Sequence, residues 1–501
     1  MWPFSRQPLY YGAQPVVFNV TIANGMGVTG SVKRLLWTEE KYEIKGTTQD
    51  VLHVQAEYPD VLWPWSGYLA VSLSVSKFGS GFQGIVQGTL EVVVQSEAAP
   101  GETEPRTTTI SLPVTTSVVP TPPRNRRLLW DQFHNVPYPP AYAPRDYLGD
   151  DSDMLDRLGD HPHTNFRTLF NRLLDAGYYV EVLGSDWTCF DAEDYGALLL
   201  VDLEDEFGHE ERLKLEQDVK EKQLSLVVFA DWYSQDVMSQ VQFVDDSTRM
   251  SWMPVTGGSN VPALNGFLFP AFGMALSGTV VAGVFYLSGG QVHFASGNTI
   301  SRMPPGGVII SPTSVEGGVR DGEEEAAKLP PRSLHADVPV IGALDTNRLP
   351  DVSSGDGGRV FLFGDSSCAD DTALELLKGT GRSDCLWLFE SALRYACEGF
   401  KDPIVFRHET EVSPQGGGDR NAKINGYTDR FANDIGYTDG LPLPTRPTTD
   451  LLLKYSNVLV GEDEQEFSKE LSEGGRDGTC NRRRRWKNVS SFNEAATNKY
   501  E

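Results

Sequence analysis

The chain has 501 residues, of which 22% are charged, and 43 Lys and Arg against 69 Asp and Glu give a formal net charge of −26 at pH 7. A chain of this length can form two or three domains, each with its own hydrophobic core. The excess of acidic residues argues against a general nucleic-acid-binding protein, because contacts to phosphates need a basic face.

Residues 1–120 are predicted to form a β-sandwich domain. Short stretches that alternate apolar and polar residues are separated by Gly, Pro and Asp turns, and no stretch has a helical period. A proline-rich link at residues 120–124 ends this domain. The stretches that we predict as strands are residues 16–22, 68–75, 84–94 and 108–114.

Residues 128–400 are predicted to form an α/β domain with a mostly parallel sheet. Two apolar runs at 197–202 and 224–229, joined by a charged helix from about Glu204 to Lys222, are typical of a parallel βαβ unit. Further strands are predicted at 178–183, 308–310, 338–341 and 359–365. Helices are predicted after the candidate caps His163 and Thr164, with Gly177 as the stop, and from Cys385 to Ala396, with Gly399 as the stop.

Residues 251–301 contain no charged residue of the Asp, Glu, Lys or Arg type. A run of about 20 apolar residues would suffice for a membrane crossing. Pro270, the regularly placed glycines and the β-rich pattern around Val280 and Phe285 favour buried core instead. Residues 401–501 are low in complexity and are predicted to form a disordered tail, in which the basic run at 482–487 is solvated.

The segment 364–371, at the end of an apolar strand that begins at Arg359, is the best candidate for chemistry, because ligands of α/β sheets bind at the carboxyl ends of the strands. A nucleophile elbow G-x-S-x-G centred on Ser366 would need a second glycine, and Cys368 stands there instead. We therefore favour a structural turn and leave Asp365, Ser366 and Ser367 without an assigned role. No catalytic, cofactor-binding or metal-binding residue is assigned, and no cofactor is expected.

Three other local patterns have alternative interpretations. Asp160-His161-Pro162-His163 could hold a metal, but a helix N-terminus that Pro162 enters and His163 or Thr164 caps is favoured. Cys368 and Cys385 could form a disulfide in an oxidising compartment, and in a reducing one they would be small buried apolar residues. Asn19 and Asn488 both begin the Asn-x-Ser/Thr pattern of glycosylation, which also arises by chance.

Many motifs in residues 1–397 resemble the site-1 protease family of subtilases, also called subtilisin/kexin isozyme 1, in order and at similar spacing. They are Met1-Trp2-Pro3, Tyr10-Tyr11-Gly12, Asn19-Val20-Thr21-Ile22, Asn24-Gly25-Met26-Gly27, Leu62-Trp63-Pro64-Trp65-Ser66-Gly67-Tyr68, Leu129-Trp130-Asp131-Gln132, Gly159-Asp160-His161, Val180-Glu181-Val182-Leu183-Gly184, Thr188-Cys189-Phe190-Asp191-Ala192 and Gly364-Asp365-Ser366.

The resemblance implies the accessory luminal region of such a protease, with a β-sandwich and an amidotransferase-like, flavodoxin-like domain. The family's signal peptide, subtilisin-type triad and transmembrane helix are not recognised in this sequence, so no triad residue is carried over. The implied partners are the protease's own catalytic domain, if encoded upstream, and membrane-anchored transcription-factor precursors as substrates. The implied location is the lumen of the Golgi and endoplasmic reticulum. The alternative is a free-standing, non-catalytic binding protein.

The resemblance also draws attention to Arg126-Arg127-Leu128-Leu129, which fits the R-x-x-L pattern that the family cleaves. Self-processing between the two domains is one interpretation of this motif. A basic linker that leads into a strand is the alternative, and we prefer it.

Overall fold

The computed structural model describes residues 6–412, apart from 26, 45, 99–100, 139–141, 149–154, 157–158, 255, 317–331, 334–337, 354 and 379–383, and a few short strands beyond them. The chain divides into two compact units, residues 1–123 with 481–501 and residues 124–480. Most of the predicted tail, including the basic run at 482–485, lies outside the described residues.

The first unit is a β-sandwich, as the sequence predicts. Strands β1, β6 and β5 form one antiparallel sheet, and β2, β7 and β8 form the other. Residues 487–488 add a short strand beside β5, and residues 490–491 add one beside β2. Buried side chains from both sheets, such as Trp37, Leu69 and Leu90, share one core. The strands are β1 Val16–Asn24, β2 Gly30–Glu39, β3 Tyr42–Ile44, β4 Thr47–Gln49, β5 Leu52–Glu57, β6 Trp65–Val75, β7 Gly84–Ser96 and β8 Arg106–Val118.

Glu39, the last residue of β2, is a buried carboxylate in this sandwich. Its oxygens accept hydrogen bonds from the backbone N–H of Val51 at 2.6 Å and of Leu52 at 3.1 Å, and from Trp37 Nε1 at 3.2 Å. Burial raises the pKa of Glu39 to about 7, although these three donors oppose the shift. Glu39 therefore joins β2 to the start of β5 through a carboxyl group that ionises with difficulty.

The second unit is an α/β domain, and the order of its elements follows the predicted alternation. Its strands are β9 Arg127–Asp131, β10 Ala143–Pro144, β11 Leu155–Asp156, β12 Tyr179–Leu183, β13 Ala197–Val201, β14 Ser225–Phe229, β15 Phe243–Val244, β16 Ser251–Trp252, β17 Ala275–Tyr286, β18 Gln291–Arg302, β19 Val308–Ile310, β20 Ser314–Glu316, β21 Arg332–Ser333, β22 Ile341–Asp345, β23 Arg359–Phe363 and β24 Thr410–Glu411. Its helices are α1 Arg167–Asp175, α2 His209–Glu221, α3 Gln235–Gln240, α4 Val261–Phe272, α5 Asp371–Leu377, α6 Leu386–Glu398 and α7 Pro403–Phe406.

The central sheet of this unit has eight strands in the order β12-β9-β13-β14-β23-β22-β19-β24. The first five are parallel, and β22, β19 and β24 extend the sheet in antiparallel fashion. Residues of β13 alternate between two cores: Leu198 and Leu200 pack with α2 and α4, whereas Leu199 packs with α1 and α6. The fold class predicted from the sequence is confirmed. The sheet is mixed, because β22, β19 and β24 are joined to it by antiparallel pairing.

Several element boundaries differ from the prediction. Helix α2 begins at His209 rather than near Glu204, because residues 202–208 form an acidic loop at the end of β13. Helix α1 begins at Arg167 after Phe166, without the side-chain cap expected from His163 or Thr164. The first residues of the predicted tail form α7 and β24, and β24 pairs with β19 at the edge of the central sheet.

The uncharged stretch at 251–301 forms α4 and the long hairpin of β17 and β18, which is mostly buried. Pro270 lies inside α4, a helix that the sequence did not predict. Among the residues that the structure describes, no helix combines the length and apolar composition that a membrane crossing requires.

We expect the sandwich to lose stability as the pH rises through about 7, because the raised pKa of Glu39 favours the protonated folded state. The contribution of Glu39 to the free energy of unfolding is fully present below about pH 4.5 and declines by at most about 3 kcal/mol by pH 8. Urea unfolding of the full chain at pH 5 and pH 8 measures this decline. Glu39→Gln should reduce it, and Glu40→Gln, a change at the exposed neighbour, should not. The same decline in wild type and Glu39→Gln would contradict this origin.

Candidate functional site

Buried aspartates follow four neighbouring strands of the central sheet. Asp131 is the last residue of β9, Asp202 follows β13 directly, and Asp231 and Asp365 lie two residues after β14 and β23. The side chains of all four are fully buried. Because these strands are parallel, their carboxyl ends meet at one edge of the sheet, which is where α/β domains bind ligands. This edge is the candidate functional site.

The candidate loop after β23 is organised around Asp231. Oδ2 of Asp231 accepts hydrogen bonds from Ser366 Oγ at 2.8 Å, from Ser367 Oγ at 2.7 Å and from the Ser367 backbone N–H at 2.8 Å. Asp365 Oδ2 accepts from the Ala295 backbone N–H at 2.6 Å. Burial raises the pKa of Asp231 to about 7, while its donors lower it. Both serines are fully buried and donate to one carboxylate, which is the geometry of a structural turn.

A close approach of two backbones fixes this turn against β18. The Asn298 N–H donates to the carbonyl of Gly364 at 2.9 Å. A Cβ atom on Gly364 would lie 1.8 Å from the Asn298 carbonyl oxygen, so no other residue fits there without a shift of the backbone.

Cys368 and Cys385 form a disulfide in the structure, with Cα atoms 5.6 Å apart. The bond joins the loop after β23 to the residue before α6, and both cysteines are fully buried. The sequence left this pairing open.

A second set of carboxylates comes from segments outside the central strands. Oxygen atoms of Asp146, Asp160 and Asp370 all lie within 4.8 Å of one another. Burial raises the pKa of each of these groups, and the negative charges of neighbouring aspartates add to the shift for Asp146 and Asp160. Asp160 accepts a hydrogen bond from Asn165 Nδ2 at 2.6 Å, and Asp370 accepts one from the Thr372 N–H at 2.5 Å at the start of α5.

Asp202 belongs to the same electrostatic environment. Burial raises its pKa well above the usual range, and the charges of Asp160, Asp231 and Glu204 raise it further. Both of its carboxylate oxygens are buried without a hydrogen-bond partner among the described residues. The edge therefore concentrates acidic groups that the described side chains do not balance.

His134 balances a different pair of carboxylates at this edge. Its Nδ1 lies 2.7 Å from Asp131 Oδ2, and its Nε2 lies 3.1 Å from Glu211 Oε1 on α2. Burial alone lowers the pKa of His134, but the charge of Asp131 and the hydrogen bonds to both carboxylates outweigh it and raise the pKa to about 10. Trp187 Nε1 also donates to Asp131 Oδ2 at 2.5 Å.

The sequence analysis found one part of this site and missed most of it. Asp160 belongs to the carboxylate set, but its sequence neighbours His161 and His163 do not: the His163 N–H donates to His161 Nδ1 at 3.0 Å, and burial lowers the pKa of both imidazoles. The missed signal was a repeated one, an apolar strand that ends in aspartate, at Asp131, Asp202 and Asp231 as well as at Asp365.

The remaining predicted residues are not among the side chains of this edge. Asn19 is exposed on β1 in the first unit, so glycosylation there stays a prediction. Arg127, Leu128 and Leu129 belong to β9, and Arg126 forms an ion pair with Glu398 at 3.1 Å.

The two units are an immunoglobulin-like domain followed by an amidotransferase-like domain. Residues 1–121 match the family model described as "MBTPS1, third Ig-like domain", and residues 122–411 match "MBTPS1, fourth GATase-like domain". The chain belongs to the site-1 protease family, as the resemblance predicted.

Most of the chain is similar in sequence to curated proteins of this family. Subtilisin-like protease SBT6.1 of Arabidopsis thaliana is 43% identical over 405 residues, which are 81% of this chain and 37% of that protein. Membrane-bound transcription factor site-1 protease is 43% identical in Mus musculus and 42% identical in Homo sapiens, in both cases over 83% of this chain and 38% of that protein. The chain thus spans a little more than a third of the length of these relatives.

We expect His134→Gln to destabilise the α/β domain by about 3–5 kcal/mol, because it leaves Asp131 and Glu211 buried without a cation. In the wild type, the stabilisation by His134 is fully present below about pH 6.5 and is lost as the pH rises through about 10. Urea unfolding between pH 6 and pH 10 measures both effects. The control His209→Gln changes an exposed imidazole and should cost less than about 0.5 kcal/mol. Equal costs for the two variants would contradict the role of His134.

Proposed function

We propose that this chain is the accessory region of a site-1-protease-like serine endopeptidase and supports its subtilisin-type catalytic domain. The observation that carries the proposal is the match, in order and without a gap, to the third and fourth domains of that family. The buried serines and aspartates of the candidate site provide folding contacts rather than an accessible nucleophile, which suits a supporting role.

The substrates that we propose for the whole protease are membrane-anchored transcription-factor precursors, processed in the lumen of the Golgi or endoplasmic reticulum. The names of the mammalian relatives, membrane-bound transcription factor site-1 proteases, support this substrate class. The partner of the present chain is its own catalytic domain.

The first test is to sequence the native transcript upstream of Met1. We expect an open reading frame that encodes a subtilisin-type Asp, His and Ser triad. An in-frame stop codon directly before Met1 would contradict the proposal and favour a free-standing, non-catalytic binding protein.

A second test measures association. The catalytic segment of a family member is expressed in the secretory pathway with the full tagged chain or with an unrelated tagged secreted protein. We expect the catalytic segment to co-purify with the chain and to be secreted in larger amount than in the control. Equal amounts in both samples would count against a supporting role.

Self-processing at Arg126-Arg127-Leu128-Leu129 stays a separate hypothesis, and the burial of the motif argues against cleavage of the folded domain. Leu128 and Leu129 are fully buried in β9, which pairs with β12 on one side and β13 on the other. A protease needs its substrate segment extended and accessible.

We therefore expect the chain to remain one intact band on a denaturing gel after co-expression with an active family protease. The variant Arg126→Ala removes the arginine of the motif and should give the same band. Two fragments in the wild type that disappear in Arg126→Ala would establish self-processing at this motif.

A further inference from the structure

Three aspartates from separate segments converge beside the carboxyl edge of the sheet. Asp146 follows β10, Asp160 follows β11 and Asp370 precedes α5, and their nearest carboxylate oxygens all lie within 4.8 Å of one another. Two oxygens that bind the same Ca²⁺ at about 2.4 Å can be at most twice that distance apart. The spacing of the three oxygens is therefore within the reach of one Ca²⁺ ion.

Asp202 provides an observation that is independent of this spacing. Its side chain is fully buried, and neither carboxylate oxygen has a hydrogen-bond partner among the described residues. The nearby hydroxyl of Ser366 has one hydrogen, which it donates to Asp231. Of the neighbouring charges, that of Asp160 has the largest effect on the pKa of Asp202, and Asp202 in turn raises the pKa of Asp146, so this unpartnered carboxylate lies near the set. A buried carboxylate without a donor needs either a proton or a ligand that supplies positive charge.

The described side chains do not supply this charge. None of their Lys or Arg residues forms an ion pair with Asp146, Asp160, Asp202 or Asp370, and this includes the buried Arg145. His134 neutralises a different pair of carboxylates, as described above. Within the part of the chain that the structure describes, these four groups therefore have no cationic side chain to balance them.

We propose that Asp146, Asp160 and Asp370 bind a Ca²⁺ ion in the amidotransferase-like domain and that Asp202 completes the negative charge around it. A set of carboxylate oxygens selects a hard cation. Ca²⁺ fits better than Mg²⁺, because it accepts six to eight oxygen ligands in flexible geometry at about 2.3–2.6 Å, whereas Mg²⁺ requires an octahedron at about 2.0–2.1 Å.

The site would also join distant parts of the chain. Asp146 lies in the connection between the paired strands β10 and β11, Asp160 follows β11, and Asp370 caps the start of α5, more than 200 residues later. An ion at this point ties the hairpin to the loop that follows β23.

The test uses the full chain after removal of metals with EDTA. Thermal unfolding and calorimetric titration are measured with CaCl₂ and, separately, with MgCl₂. At a Ca²⁺ concentration about a hundredfold above the Kd, we expect the unfolding midpoint of the domain to rise by about 5–10 °C. Mg²⁺ at the same concentration should give a smaller shift. A response to Mg²⁺ alone would overturn the choice of ion, and no response to either ion would overturn the site.

Two variants locate the binding. Asp370→Asn removes one charge and keeps a residue type that can cap helix α5. Asp160→Asn removes one charge after β11. Without Ca²⁺, the unfolding midpoint of both variants should be at least as high as that of the wild type, because they relieve repulsion between the carboxylates. Both variants should also lose most of the rise in midpoint that Ca²⁺ causes. The control Asp246→Asn changes an exposed aspartate and should keep the full response. A full response in Asp160→Asn and Asp370→Asn would show that Ca²⁺ binds elsewhere.

Discussion

The burial of carboxylates at one edge of a sheet is the constraint on which the α/β domain depends. Four parallel strands each lead into an aspartate, and the parallel direction brings all four to the same side. An ion transferred from water to a protein interior loses hydration worth several kcal/mol, so each charge needs a partner or a proton. The structure meets this need with an imidazolium at Asp131 and with hydroxyl and amide donors at Asp231.

These two arrangements show how polar groups at the functional edge of an amidotransferase-like fold can be used for folding contacts. Fold alone does not determine activity, which depends on the groups placed at the functional edge. Here the serines after β23 are donors that hold Asp231, and their hydroxyls are fully buried. The same edge that holds reactive groups in enzymes of open α/β topology is used in this chain to join loops to strands.

The elements of the fold were largely readable from the sequence, because apolar runs such as 197–201 and 225–229 are buried on both faces. The direction of β19 and β22 was not, since strand direction is set by partners distant in sequence. Helix α4 was missed because its own residues are apolar on nearly all sides, so the sequence shows no helical period there. The approach of Asp146 and Asp160 to Asp370 was also hidden, because it arises from tertiary packing and not from any local spacing.

The disulfide between Cys368 and Cys385 closes a covalent loop with a sequence separation of 17, and helix α5 with its capping residue Asp370 lies inside that loop. Closing a loop of this size removes entropy from the unfolded chain worth about 3 kcal/mol. Asp370 therefore has its range of motion limited by a bond that forms only under oxidising conditions. The position of Asp370 within the set of Asp146, Asp160 and Asp370 is thus linked to the oxidation state of two cysteines that take no part in the set themselves.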